Sequence, residues 1–353
     1  MESTETKNIA IPIALDPLDT YNFRQMIIDS PDQFAAGFEI AKDIKIEGDF
    51  KSIMISGMGG SALPGNLFRV YLSDLARRQK FTGDRLGIFQ NRFYGLPHES
   101  FDHCLNFICS YSGNTEETVA SFEEALNNNL ACIGFSSGGK IEEMCKEHGV
   151  PHVKMPIPSE GFQPRVGTGY FFGAMYRVLI NQGLAADTMS EILAAAEILK
   201  SKLTDFETQG VALSEKLAGK TPVIFGTTRF KSVAMIWKIK INENAKTPAF
   251  YNFFPELNHN EMVGYTNPQG KFIVIMLRDA DDFRPMQKRF EVTADLLREK
   301  GVEVEVIDMP GESVFEKMFG SILIADFASY YLALKYGINP TPVDMVEALK
   351  KML

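Results

Sequence analysis

The chain contains no run of about 18 apolar residues, the minimum for a helix that crosses a bilayer, and no long run of lysine and arginine. With a formal net charge of −9, duplex nucleic acid and anionic membrane surfaces are disfavoured partners, because both carry the same sign. Residues 1–6 are polar and acidic and lead into no signal-type apolar stretch, so a cytoplasmic location is expected. The four cysteines, Cys104, Cys109, Cys132 and Cys145, share no CxxC spacing. Buried reduced thiols are expected in place of a disulfide framework or a zinc site. His148 and His152 lie four apart, but Gly149 and Pro151 break the helix that would bring both imidazoles to one face, and no metal site is expected. His98 and His103 flank acidic sequence and are expected at the surface. Two phosphate-binding patterns are also missing. Without GxxxxGK[ST] no lysine is placed to reach a second and third phosphate, and without GxGxxG the dinucleotide fingerprint fails.

What is present is the composition of an ordinary globular protein, 45% hydrophobic and 23% charged over 353 residues, enough to fill the cores of two domains. The stretch Ser110-Tyr111-Ser112-Gly113-Asn114-Thr115 follows the apolar run 105–109 and opens the helical pattern 116–127. Three hydroxyls and a glycine where a strand hands over to a helix can bring side-chain donors and free backbone N–H groups onto one dianion. A serine-rich turn with an N-cap threonine is the competing interpretation. A second such turn, Gly57-Met58-Gly59-Gly60-Ser61, separates the β-branched run 52–56 from another helical pattern. Both turns fall at carboxyl ends of strands, the edge at which open parallel sheets bind ligands. A phosphomonoester is the expected ligand.

Element order follows from periodicity. A helical stretch is expected over 21–41, strands over 52–56, 86–90, 105–110, 130–135 and 151–155, and helices over 61–78, 115–128, 140–148 and 169–181. Residues 191–217 are mostly helical. A second cycle has strands over 222–226, 272–277 and 302–307, helices over 230–243, 285–300 and 313–336, and a short helix within 340–353. The expected fold is α/β, two doubly wound parallel-sheet domains of flavodoxin-like type with a C-terminal helical tail. The expected division is an N-terminal helical segment 1–45, a first domain 46–190, a connector 191–215, a second domain 216–338 and a tail 339–353.

Chemistry is expected from the strip 242–265, dense in asparagine and unlike its surroundings. Glu243 ends an amphipathic helix, where a carboxylate opposes the helix dipole, and His259 follows sixteen positions later. A carboxylate and an imidazole on adjacent polar loops suit general acid–base work; a solvated helix end and a turn residue are the bland alternative. Gln163-Pro164-Arg165 follows a proline-rich loop and would put a guanidinium near the ligand edge of the first domain. Lys350 and Lys351 end the chain in what is by default a solvated helix.

Taken in order, Gly57-Met58-Gly59-Gly60-Ser61, Ser110 to Thr115, Gln163-Pro164-Arg165, Glu243-Asn244 with Pro255-Glu256-Leu257-Asn258-His259-Asn260, and Leu349-Lys350 resemble the bifunctional phosphoglucose/phosphomannose isomerases. The likeness runs over nearly the whole chain. It implies two SIS (sugar isomerase) domains, a homodimer with active sites at the subunit interface, and sugar 6-phosphates as substrates. It implies further that Ser110, Ser112 and Thr115 hold the phosphate and that Gly59, Gly60 and Ser61 line the sugar. Glu243 is then the base that moves a proton between C1 and C2, and Arg165 the cation facing the enediolate. His259, delivered from the other subunit, and Lys350 assist ring opening, with Lys351 the alternative if the register shifts by one. Thr341 resembles the small polar residue that gives room for the mannose epimer. Residues beyond those of compact family members are placed in the N-terminal helix and in the loop of the 80s and 90s.

Aldose and ketose interconvert through a cis-enediol, so one carboxylate suffices and no cofactor or metal is expected. Two rival interpretations are a sugar-phosphate sensor and an amidotransferring ketose-phosphate isomerase. The first would need a basic helix-turn-helix, which 1–45 lacks, and the second an N-terminal nucleophilic cysteine.

Overall fold

The computed structural model describes residues 16–78 and 86–352. Residues 1–15, including the acidic start, the 79–85 part of the loop expected to hold extra residues, and residue 353 lie outside the described residues. The described residues divide into two compact units, one within 29–198 and one formed by 199–352 with 16–28. The single helix expected over 21–41 is two, α1 (Phe23–Ile28) and α2 (Gln33–Ile40). Pro31, in the 3₁₀ turn Ser30–Asp32, interrupts it, because proline has no N–H to donate and disfavours a helical residue before it.

The first unit is built on a five-stranded parallel sheet. Its elements are β1 (Ser52–Gly57), α3 (Gly59–Arg77), β2 (Gly87–Asn91), β3 (Cys104–Cys109), α4 (Glu116–Asn127), β4 (Cys132–Ser136), α5 (Gly139–His148), β5 (His152–Lys154) and α6 (Thr168–Asn181), followed by α7 (Met189–Ser201). Strand order is β2-β1-β3-β4-β5. Every residue of β1 and β3 is buried, as strands covered on both faces require. The direction of winding reverses between β1 and β3, so the crevice past their carboxyl ends is the topological switch point. All four cysteines are buried free thiols. Burial pushes Cys132 up to about 11 and Cys145 up to about 12.

The second unit repeats the order. After α8 (Leu203–Leu217) come β6 (Thr221–Thr227), α9 (Lys231–Asn244), β7 (Phe250–Phe254), β8 (Phe272–Arg278), α10 (Arg284–Glu299), β9 (Glu303–Asp308), α11 (Val314–Lys335) and α12 (Asp344–Met352). The sheet order β7-β6-β8-β9 matches β2-β1-β3-β4 of the first unit, which supports reading the halves as copies of one fold. In α11 every residue from Val314 to Ala333 is buried, and a Ser313/Glu316 capping box sets its start. Among the described residues no helix is long and apolar enough to cross a membrane.

Candidate active site

At the first switch point the two glycine-bearing turns lie side by side. β3 delivers Ser110, 1% exposed, whose Oγ accepts from the N–H groups of Gly113 at 3.1 Å and Thr115 at 3.4 Å and lies 2.9 Å from Thr115 Oγ1. Thr115 is the N-cap of α4, yet its hydroxyl makes no capping bond. The hydroxyl that would cap the helix is held by Ser110, and the first N–H groups of α4 are left for an incoming acceptor. Ser112 is exposed and its Oγ accepts from Asn114 N at 3.3 Å. Gly113 is obligatory here: its φ is +74°, and a Cβ would stand 1.7 Å from the Gly138 carbonyl oxygen. The other turn is joined to this one by Tyr111 N–H donating to Ser61 Oγ at 2.9 Å.

Gly60 explains the place of the arginine. A Cβ there would come within 2.7 Å of Pro164 C and 2.8 Å of Arg165 N, so the Gln163–Arg165 loop rests directly on the first turn of α3. Arg165 is 1% exposed and its Nη1 donates to Gln163 Oε1 at 3.1 Å. Gly59, Gly60, Ser61, Ser110, Ser112, Thr115 and Arg165 thus come from the same unit, on turns that contact one another. Tyr111, quoted in the motif but given no task by it, anchors the turn. Its hydroxyl donates to the Pro156 carbonyl at 2.7 Å, and its carbonyl accepts from Ser137 Oγ at 2.6 Å. The acidic residues that open α4 could repel a dianion, but Glu116 accepts from the Tyr94 hydroxyl at 3.1 Å, on the side of the loop after β2.

In the second unit Glu243 stands half-buried in the last turn of α9. Three buried side chains of that helix fix its rotation against α11: Trp237 Nε1 donates to Ser321 Oγ at 2.9 Å, Lys240 pairs with Asp326 at 2.7 Å, and Asn244 Nδ2 donates to Ser329 Oγ at 2.9 Å. Thr341 is 1% exposed, its N–H donating to Asn339 Oδ1 at 2.9 Å. His259 is exposed at the end of the 3₁₀ turn Glu256–His259, beside Asn258, which is held by Thr293 and Arg289.

The strip expected to place Glu243 and His259 on adjacent loops contains a strand instead. Glu243 precedes the start of β7 and His259 follows its end, so the five-residue strand lies between them in the chain. Lys350 lies on α12, which buries no residue, and its Nζ donates to Glu347 at 2.7 Å. Lys351 is also exposed. Of the histidines considered for a metal, His148 is exposed and His152 Nε2 lies 2.9 Å from Ser136 Oγ, with burial holding the imidazole below its ordinary value. Among the described residues no three His, Cys, Asp or Glu side chains gather as a metal site would require.

Repeated sheets of one strand order, with a hydroxyl-lined turn at a switch point, define a two-domain protein of the SIS type. Residues 206–353 match the bacterial phospho-glucose isomerase C-terminal SIS domain. The chain is 33% identical to a bifunctional phosphoglucose/phosphomannose isomerase of Caldicellulosiruptor bescii over 93% of its length and 98% of the relative's. It is 32% identical to the protein of the same description from Aquifex aeolicus, over 89% of this chain and 93% of that one. The chain therefore belongs to the bifunctional phosphoglucose/phosphomannose isomerase family. Its fold is shared with the tagatose-6-phosphate ketose/aldose isomerase of Escherichia coli, at a TM-score of 0.65 and 14% identity over 90% of this chain and 94% of that one.

Proposed function

We propose that this protein interconverts glucose 6-phosphate and mannose 6-phosphate with fructose 6-phosphate through a cis-enediol, as a cytoplasmic homodimer. The observation that carries the reading is the Ser110–Thr115 turn. Its hydroxyl pair needs only bond rotations to aim protons at a phosphate oxygen, and the uncapped α4 terminus adds backbone donors and a favourable field. Gly59, Gly60 and Ser61 line the sugar and Thr341 leaves room at the epimeric carbon.

In this reading Glu243 takes the proton from one of C1 and C2 and returns it to the other, while the negative charge that develops on the enediolate oxygen faces Arg165. A guanidinium buried before the reaction begins stabilises that charge without reorganising. His259 from a second copy and Lys350 move the ring-opening proton. The proton-transfer step asks for no metal or cofactor.

A coupled assay starting from fructose 6-phosphate, reading glucose 6-phosphate and mannose 6-phosphate separately with chelator present, tests the reading. Both products should appear. Glu243→Gln should lower kcat by about 10²–10⁴-fold with little change in the affinity of a phosphorylated inhibitor, because the base acts only after binding. Near-normal turnover by that variant removes Glu243 from the role. Sugar-phosphate binding by the wild-type chain with no turnover would favour a sensor instead.

A further inference from the structure

Lys246 occupies a position where glycine is the easier residue. It follows Ala245, the C-cap of α9, and has φ +52°, the left-handed conformation on which many helices end, usually with glycine. A lysine kept there points to a use for its side chain. The ammonium donates to three backbone carbonyls, Asn244 at 3.1 Å, Asn339 at 3.0 Å and Pro340 at 2.8 Å. The Asn244 carbonyl belongs to the end of α9, directly after Glu243. The other two belong to the segment that leads into Thr341, whose N–H is fixed by Asn339. One cation therefore clasps the helix end bearing Glu243 to the strap bearing Thr341, across more than ninety residues of sequence.

We infer that Lys246 is a positioning residue that sets the register between Glu243 and Thr341 and thereby the partition between glucose and mannose products. This rests on the roles proposed above for those two residues. Once fructose 6-phosphate has lost a C1 proton to the base and its O1 hydroxyl proton has passed to O2, the carbon proton returns to C2 on one face of the enediol to give the glucose epimer and on the other to give the mannose epimer. Which face receives it depends on where the carboxylate stands relative to the group beside C2. A loosened clasp changes that relation and leaves the phosphate anchor untouched.

The test compares Lys246→Gly, Lys246→Met and Lys246→Arg with the wild type for product ratio, kcat and KM. Glycine suits the backbone, so the fold should persist while the clasp is lost. Expected for the glycine and methionine variants are a ratio shifted by about fivefold or more, a kcat lowered by about tenfold, and a KM within about threefold of wild type. The arginine variant, which keeps a cationic donor, should bring the ratio back to within about twofold. A wild-type ratio and kcat in Lys246→Gly overturns the inference, as does a fall in kcat with the ratio unmoved in both uncharged variants. If the glycine variant does not fold, methionine against arginine decides by the same readings. Glu243→Gln is assayed alongside: turnover retained there counts against the assignment of the base, whatever the lysine variants do.

Discussion

The Ser110 hydroxyl already accepts from two backbone N–H groups, so its remaining capacity is one proton, shared with Thr115 and available to a ligand. Replacing Ser110 by alanine removes that donor and the acceptor that shapes the turn. The expected result is a KM for fructose 6-phosphate raised by about 5–100-fold, the range of one lost buried hydrogen bond, with kcat within a few-fold of wild type. Steady-state kinetics and competition by inorganic phosphate check it. Ser112 is exposed and should tolerate the same change better. This turn was legible in the sequence because its chemistry is local, three hydroxyls and one glycine within six residues. The Lys246 clasp was not, because its acceptors are main-chain atoms of 339 and 340 and carry no side-chain signature. A charged residue just past a helix end, where glycine is favoured, was the trace it left.

At the level of elements, α9 is held by polar contacts in an otherwise apolar interface with α11. The Lys240–Asp326 pair is almost fully buried, and breaking one side leaves the other charge in a poor dielectric. Lys240→Met is expected to cost about 3–5 kcal/mol in chemical denaturation, whereas Lys240→Met with Asp326→Leu should recover most of it, since an apolar pair of similar volume often replaces an ion pair without loss. If the single variant unfolds at the wild-type denaturant concentration, the pair does not fix the helix. The elements with strong periodicity were legible: β1 and β3, buried throughout, and β6 and β8, buried but for their end residues, are short β-branched or aromatic runs, and α11 is a long apolar stretch. β7 was not. Its sequence Phe250-Tyr251-Asn252-Phe253-Phe254 lies between Pro248 and Pro255 in a polar neighbourhood, and as an edge strand it leaves Phe250 and Tyr251 exposed without a two-residue alternation. Pairing with β6 made it a strand, a tertiary effect that no local window contains.

For the molecule as a whole, β7 turns a question of sequence spacing into one of assembly. β7 lies between Glu243 and His259 in the chain, and in the proposed mechanism the two residues of one site come from different copies. Twofold symmetry then makes two equivalent sites per dimer, each with a carboxylate from one protomer and an imidazole from the other. Glu243→Gln and His259→Ala are each expected to be strongly impaired as homodimers. Unfolded together and refolded, or co-expressed, they form a mixed dimer in which one site carries both defects and the other carries neither. With random pairing, half of the dimers are mixed and half of their sites are intact, giving about a quarter of wild-type activity. Recovery near that level in a mixture of two poor enzymes would arise only from a histidine shared across the interface. A mixture no more active than the mean of its parts, with mixed dimers verified by mass spectrometry, would return His259 to the surface of its own chain.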